Sequence, residues 1–149
     1  MLMPHGSIEQ PGKPTRDAAY LEEMTKAVFR SGFSWKVVED KWPNFKAAFD
    51  GFDVRKVAAY DERDVDRLLT DAGIVRNGRK IEATIHNARA MLELVEGFGS
   101  FKKYLRSMDK QAYEVTAKDM KGRFSYLGKT GTYTFLWGVG EEVPEWEDR

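Results

Sequence analysis

The stretch DERDVDRLLTDAGIVRNGRKIEATIHN, residues 61–87, constrains the fold more than any other part of the chain. Val65, Leu68, Leu69 and Ala72 recur at helical spacing behind Asp61, a residue suited to cap a helix. Ile81, Ile85, Ala88, Leu92 and Val95 form a second helical stripe a few residues later. The link between them carries Gly73 and Gly78, with Arg76, Arg79 and Lys80 crowded around it. Two amphipathic helices joined by so tight a turn need other helices or a sheet to cover their apolar faces. Gly73 is expected to close the first helix as its C′ residue.

The remaining chain supplies helices. Tyr20, Leu21, Met24, Val28 and Ser31 keep one stripe, with Asp17 placed to cap it and Gly32 to stop it. Ser34 can cap a second helix with Trp35, Val38 and Trp42 inward, which Pro43 is expected to kink or end. Phe45, Ala48 and Phe49 extend that apolar stripe to Gly51. Asp53 caps a short turn, and Ser100 caps a short helix containing Phe101, Tyr104 and Leu105. Residues 109–129 read as mixed, and Val115–Thr116 and Phe124–Leu127 lean towards β without forming a convincing pair. Thr130 or Thr132 opens a last apolar helix ending at Gly140. The fold class predicted is all-α, an orthogonal bundle of six or seven helices over residues 17–149, with residues 1–16 a flexible arm holding three of the five prolines.

Composition narrows the chemistry. With 42% hydrophobic and 32% charged residues, the 149-residue chain suits one globular core. No run approaches the roughly 18 apolar residues of a membrane span, and no apolar leader opens the chain, so a cytoplasmic location without membrane contact is expected. There is no cysteine, and the histidines are His5 and His86, which excludes disulfides, thiol nucleophiles and the usual zinc ligand sets. We expect neither metal nor cofactor. Lys plus Arg and Asp plus Glu balance at 24 each, so any anion binding must rest on a local basic patch.

The hairpin offers such a patch. Backbone amides at the turn, with the positive end of the second helix, suit one run of phosphates, as in a helix-hairpin-helix unit. Cations at Arg79 and Lys80 oppose the dipole of that helix, a cost that a phosphate would offset. A plain αα-turn with a solvated basic tip accounts for the same residues. Trp35, just behind the Gly32 break, can stack on an extruded base from the wall of a cleft, or share a core stripe with Trp42.

GFSW at 32–35, NFKAAFDGFD at 44–53, KVAA at 56–59 and DVDRLLTDAGIVRNGRKIEATIHNARA at 64–90, with the weaker GRFSYLGKTGTYTFLWGVGE at 122–141, resemble the 3-methyladenine DNA glycosylase I family. The resemblance spans roughly Tyr20 to Glu141. It implies a helical bundle that binds double-stranded DNA, extrudes an alkylated purine and hydrolyses its N-glycosidic bond in base-excision repair. It makes Trp35 and Tyr133 base-binding residues, with Thr130 beside the latter. Gly73, Arg76, Gly78, Arg79 and Lys80 become the DNA-binding hairpin.

The chain departs from that family at two places. The glutamate that the family places eight residues before the tryptophan, where it hydrogen-bonds the base, is Ala27 here. Glu23, one helical turn earlier, is the remaining candidate catalytic carboxylate. The family's closing histidine and cysteine zinc ligands are replaced by VPEWEDR at 143–149, where Trp146 can fill part of the vacated place. An impaired DNA-binding protein without chemistry, or an interaction module without enzymatic function, is the alternative expectation.

Overall fold

The computed structural model describes residues 9–149. Residues 1–8, including His5 and half of the expected arm, lie outside the described residues. Among those described there is no strand, and eight α-helices follow one another. They are α1 (Asp17–Arg30), α2 (Trp35–Ala48), α3 (Val54–Ala58), α4 (Glu62–Leu69), α5 (Gly78–Phe98), α6 (Phe101–Ser107), α7 (Tyr113–Arg123) and α8 (Lys129–Gly138). The all-α bundle expected from the sequence is present, with eight helices among the described residues rather than six or seven. No helix among the described residues is long and apolar enough to cross a membrane.

The 21-residue α5 packs against α1, α3, α4 and α6, while α1 also meets α2 and α8. Tyr20, Leu21, Met24, Val28 and Phe29 of α1 are buried with Ile81, Ile85, Ala88 and Met91 of α5 in one core. Ser34, Asp53, Asp61 and Ser100 each accept a backbone amide at the start of α2, α3, α4 and α6. Asp61 completes a capping box with Asp64.

Five local expectations are corrected. Asp17 is the first residue of α1 rather than its cap, and its carboxylate accepts the Phe101 amide at 2.9 Å, tying the start of α6 to α1. Pro43 neither ends nor splits α2, which runs to Ala48. A proline inside a helix costs about 3 kcal/mol. Burying each large side chain contributes about 1.5–3 kcal/mol, and Trp42 and Phe45, stacked at 4.9 Å, bury on either side of it. Residues 113–123 form α7 although their apolar pattern is weak; only Ala117 and Met120 are buried from it. The β-leaning stretch Phe124–Leu127 is a connection, held where the Asn87 side chain donates to Ser125 O at 3.1 Å and accepts from Ser125 N at 2.7 Å.

Gly73 is the fifth. Helix α4 stops at Leu69 with Thr70 as its C-cap, and Gly73 is not among the left-handed glycines. Its need is space: a Cβ there would lie 3.1 Å from Asn44 Cβ. The Asn44 amide donates to Gly73 O, and Gly73 N donates to Asp71, so the turn is fastened to α2.

Residues 9–16 run without helix across the far end of α8. Gln10 donates to the carbonyls of Trp137 and Glu141 at 3.1 and 2.8 Å. Gly140, at φ 78°, lets this segment approach: a Cβ would lie 2.9 Å from Lys13 N.

Candidate base-binding cleft and hairpin surface

A cleft of about 800 Å³ opens between α1, α2 and α8. One face of α1 supplies Glu23, Ala27 and Arg30, four and seven residues apart, as helical periodicity requires. Trp35 enters from the first turn of α2. Gly32, at φ 64°, reverses the chain after α1 and so sets Trp35 beside Arg30. Helix α8 closes the cleft with Thr134, Phe135, Trp137 and Gly138.

Trp35 is half-buried and lines this cleft, whereas Trp42 is buried and forms its floor with its indole N–H donating to Glu22 at 2.8 Å. The Arg30 guanidinium lies 4.7 Å from the centroid of the Trp35 ring, a cation–π contact. Its Nε is buried without a hydrogen-bond partner among the described residues. Burial lowers the pKa of this guanidinium, against the opposing fields of Glu23 and Glu39. Glu23 accepts from Lys26 at 3.1 Å, and its other oxygen lies beside Gly138, where a Cβ would meet it in ordinary contact at 3.5 Å.

Ala27 is in the cleft wall, one helical turn from Glu23, and it offers no acceptor. Tyr133 is elsewhere. It is fully buried on the other side of α8, donates to Pro144 O at 2.7 Å and meets Trp146 edge-on at 5.1 Å. Its neighbours Thr134 and Phe135 face the cleft instead. Thr130 is exposed and accepts from Arg149.

Tyr133, Trp146, Val143 and Pro144 fill the region where the family resemblance implies a zinc clip. Neither cysteine nor histidine stands among them, so these residues do not fit a structural zinc. Among the described residues no cluster of three metal-ligating side chains occurs.

The hairpin residues divide. Arg76 and Arg79 are exposed on the turn and the first turn of α5, and Gly78 opens that helix behind an Asn77 cap that accepts from Lys80 N. Lys80 points inward. Only 5% exposed, its ammonium donates to Phe29 O at 3.0 Å and Ser31 O at 2.7 Å, the last carbonyls of α1. A cation at a helix C-terminus is favourable, so the cost of a lysine at the start of α5 is offset within the protein rather than by a phosphate. Burial lowers its pKa.

Arg30 and Phe33 were not singled out from the sequence. Phe33 is 43% exposed in the loop before Trp35 and lies under the Lys80 ammonium at 5.6 Å. The signal for Arg30 was its seven-residue spacing from Glu23.

An all-helical bundle with a tight hairpin and an aromatic-walled cleft defines the helix-hairpin-helix class. Residues 9–123 match the family model described as methyladenine glycosylase, and the chain belongs to that family. DNA-3-methyladenine glycosylase 1 of Escherichia coli K12 is 35% identical, covering 87% of this chain and 80% of the relative. The corresponding Haemophilus influenzae glycosylase is 28% identical with the same coverage. The Staphylococcus aureus 3-methyladenine DNA glycosylase I structure superposes with a TM-score of 0.76 at 27% identity, covering 86% of this chain and 78% of that one.

Proposed function

We propose that this protein is a DNA glycosylase that hydrolyses the N-glycosidic bond of a damaged purine extruded from duplex DNA, with alkylated purines the class suggested by its relatives. The observation that carries the reading is the cleft of about 800 Å³, large enough for a purine, whose lining includes half-buried Trp35 and the Glu23 carboxylate. Bases stack on an aromatic wall after being taken out of the helix. Exposed Arg76 and Arg79 and the amides at the start of α5 serve the phosphates. Exposed Phe33 is an apolar wedge at the rim, suited to the gap that an extruded base leaves. A cytoplasmic location belongs to the same proposal.

In the reaction the bond from the sugar C1′ to the purine nitrogen breaks and its electron pair leaves with the base. Alkylation that places positive charge on the purine makes it a good leaving group. Water adds at C1′ and gives up a proton, for which Glu23 is the acceptor in the cleft. Glu23→Gln removes that acceptor while keeping its shape. Release of damaged purine from duplex DNA by the wild type, slowed at least about tenfold in Glu23→Gln, is the expected result; equal rates exclude Glu23 from this role.

One observation favours a second reading. Ala27 leaves the cleft without the carboxylate that the family resemblance implies. A DNA-binding protein that no longer cleaves would retain salt-dependent duplex binding and release no base.

A further inference from the structure

We propose that the cleft selects a 6-oxopurine over a 6-aminopurine, with Arg30 as the residue that sets this preference. The inference rests on the reading of the cleft as a base pocket. On the α1 face, position 27 presents a methyl group, which cannot accept from an exocyclic amino group. One turn further the same face presents a guanidinium, which only donates. A 6-amino group would set donors against donors there. A 6-keto oxygen with the neighbouring N7 offers two acceptors in the spacing that an arginine fork matches.

The surroundings leave Arg30 available for that task. Lys26 binds one oxygen of Glu23, and Glu22 accepts from Trp42 and lies 3.8 Å from Lys46. Glu39, the remaining carboxylate in the lining, is exposed. The buried Arg30 Nε has no partner among the described residues. The guanidinium packs against the Trp35 ring at 4.7 Å from its centroid, so the donor group stands beside the aromatic wall of the cleft. Hypoxanthine, left by deamination of adenine, and guanines alkylated away from O6 and N7 present the required edge.

The test is equilibrium binding of free hypoxanthine and free adenine, followed by tryptophan fluorescence, to wild type, Arg30→Gln, Arg30→Lys and Trp35→Ala. The two bases differ at C6 and its adjoining ring nitrogen. Hypoxanthine is expected to bind about tenfold more tightly to the wild type. Arg30→Gln and Arg30→Lys, each checked for native melting, should lose most of that ratio, because neither retains the planar fork. Adenine binding equally or more tightly to the wild type, with both bases weakened in Trp35→Ala, overturns the preference and leaves the base pocket standing. Binding of neither base overturns the preference together with the pocket.

Discussion

The Lys80 ammonium lies 2.7 Å from the carbonyl oxygen of Ser31, joining the start of α5 to the loop that delivers Trp35 to the cleft. The second bond, to Phe29 O, fastens the end of α1 to the same point. The hairpin and the loop before Trp35 are therefore tied together, and the Lys80 ammonium is spent on carbonyls within the protein.

Lys80→Met keeps the apolar stem and orphans two carbonyls. Each such loss costs about 1–3 kcal/mol when the group stays buried. Urea denaturation should show a stability loss of about 2 kcal/mol or more. The salt dependence of DNA binding should keep its slope, since no phosphate contact is removed.

Arg76→Glu and Arg79→Glu should do the reverse. Both side chains are exposed, so stability is expected to stay within about 0.5 kcal/mol. Duplex affinity should fall, and the slope of log affinity against log salt should shrink by about one for each lost phosphate contact. Filter binding at several salt concentrations measures both quantities.

Ala27→Glu places an acceptor beside Arg30 in the cleft wall. Overpacking this buried position should cost about 1–3 kcal/mol of stability. The carboxylate should draw the guanidinium into an ion pair and provide an acceptor for an amino group. Competition binding with adenine and hypoxanthine should then show the preference moving towards adenine.

Asp119 gives a pH signature. Burial acts against its carboxylate, but hydrogen bonds from Arg123 and Tyr104 outweigh burial and hold its pKa below the ordinary 3.8. The folded state thus binds this proton less readily than the unfolded chain. Its contribution to stability is present above pH 3.8 and is lost as pH falls through the lower folded-state value. Asp119→Asn should flatten that part of the acid-unfolding curve measured by circular dichroism.

Residues whose meaning is local were legible in the sequence. Ser34, Asp53, Asp61 and Ser100 cap the helices their spacing announces, and Trp35 lines a cleft behind the Gly32 break. What stayed hidden depends on contacts across the bundle. Asp17 caps a helix 84 residues away, and Lys80 reaches carbonyls 49 and 51 residues away. Pro43 is tolerated because of the aromatic burial on both sides of it. Tyr133 shares a helix with cleft residues but faces Trp146. Arg30 was visible at helical spacing from Glu23, yet its importance required knowing that Trp35 returns from the next helix to meet it.

The most direct measurement is single-turnover base release from duplexes carrying one hypoxanthine or one 3-methyladenine, with wild type and Trp35→Ala compared. Release by the wild type is expected, with its loss in Trp35→Ala while duplex affinity persists. No release from either duplex by folded, DNA-bound wild type would contradict the assignment as a glycosylase.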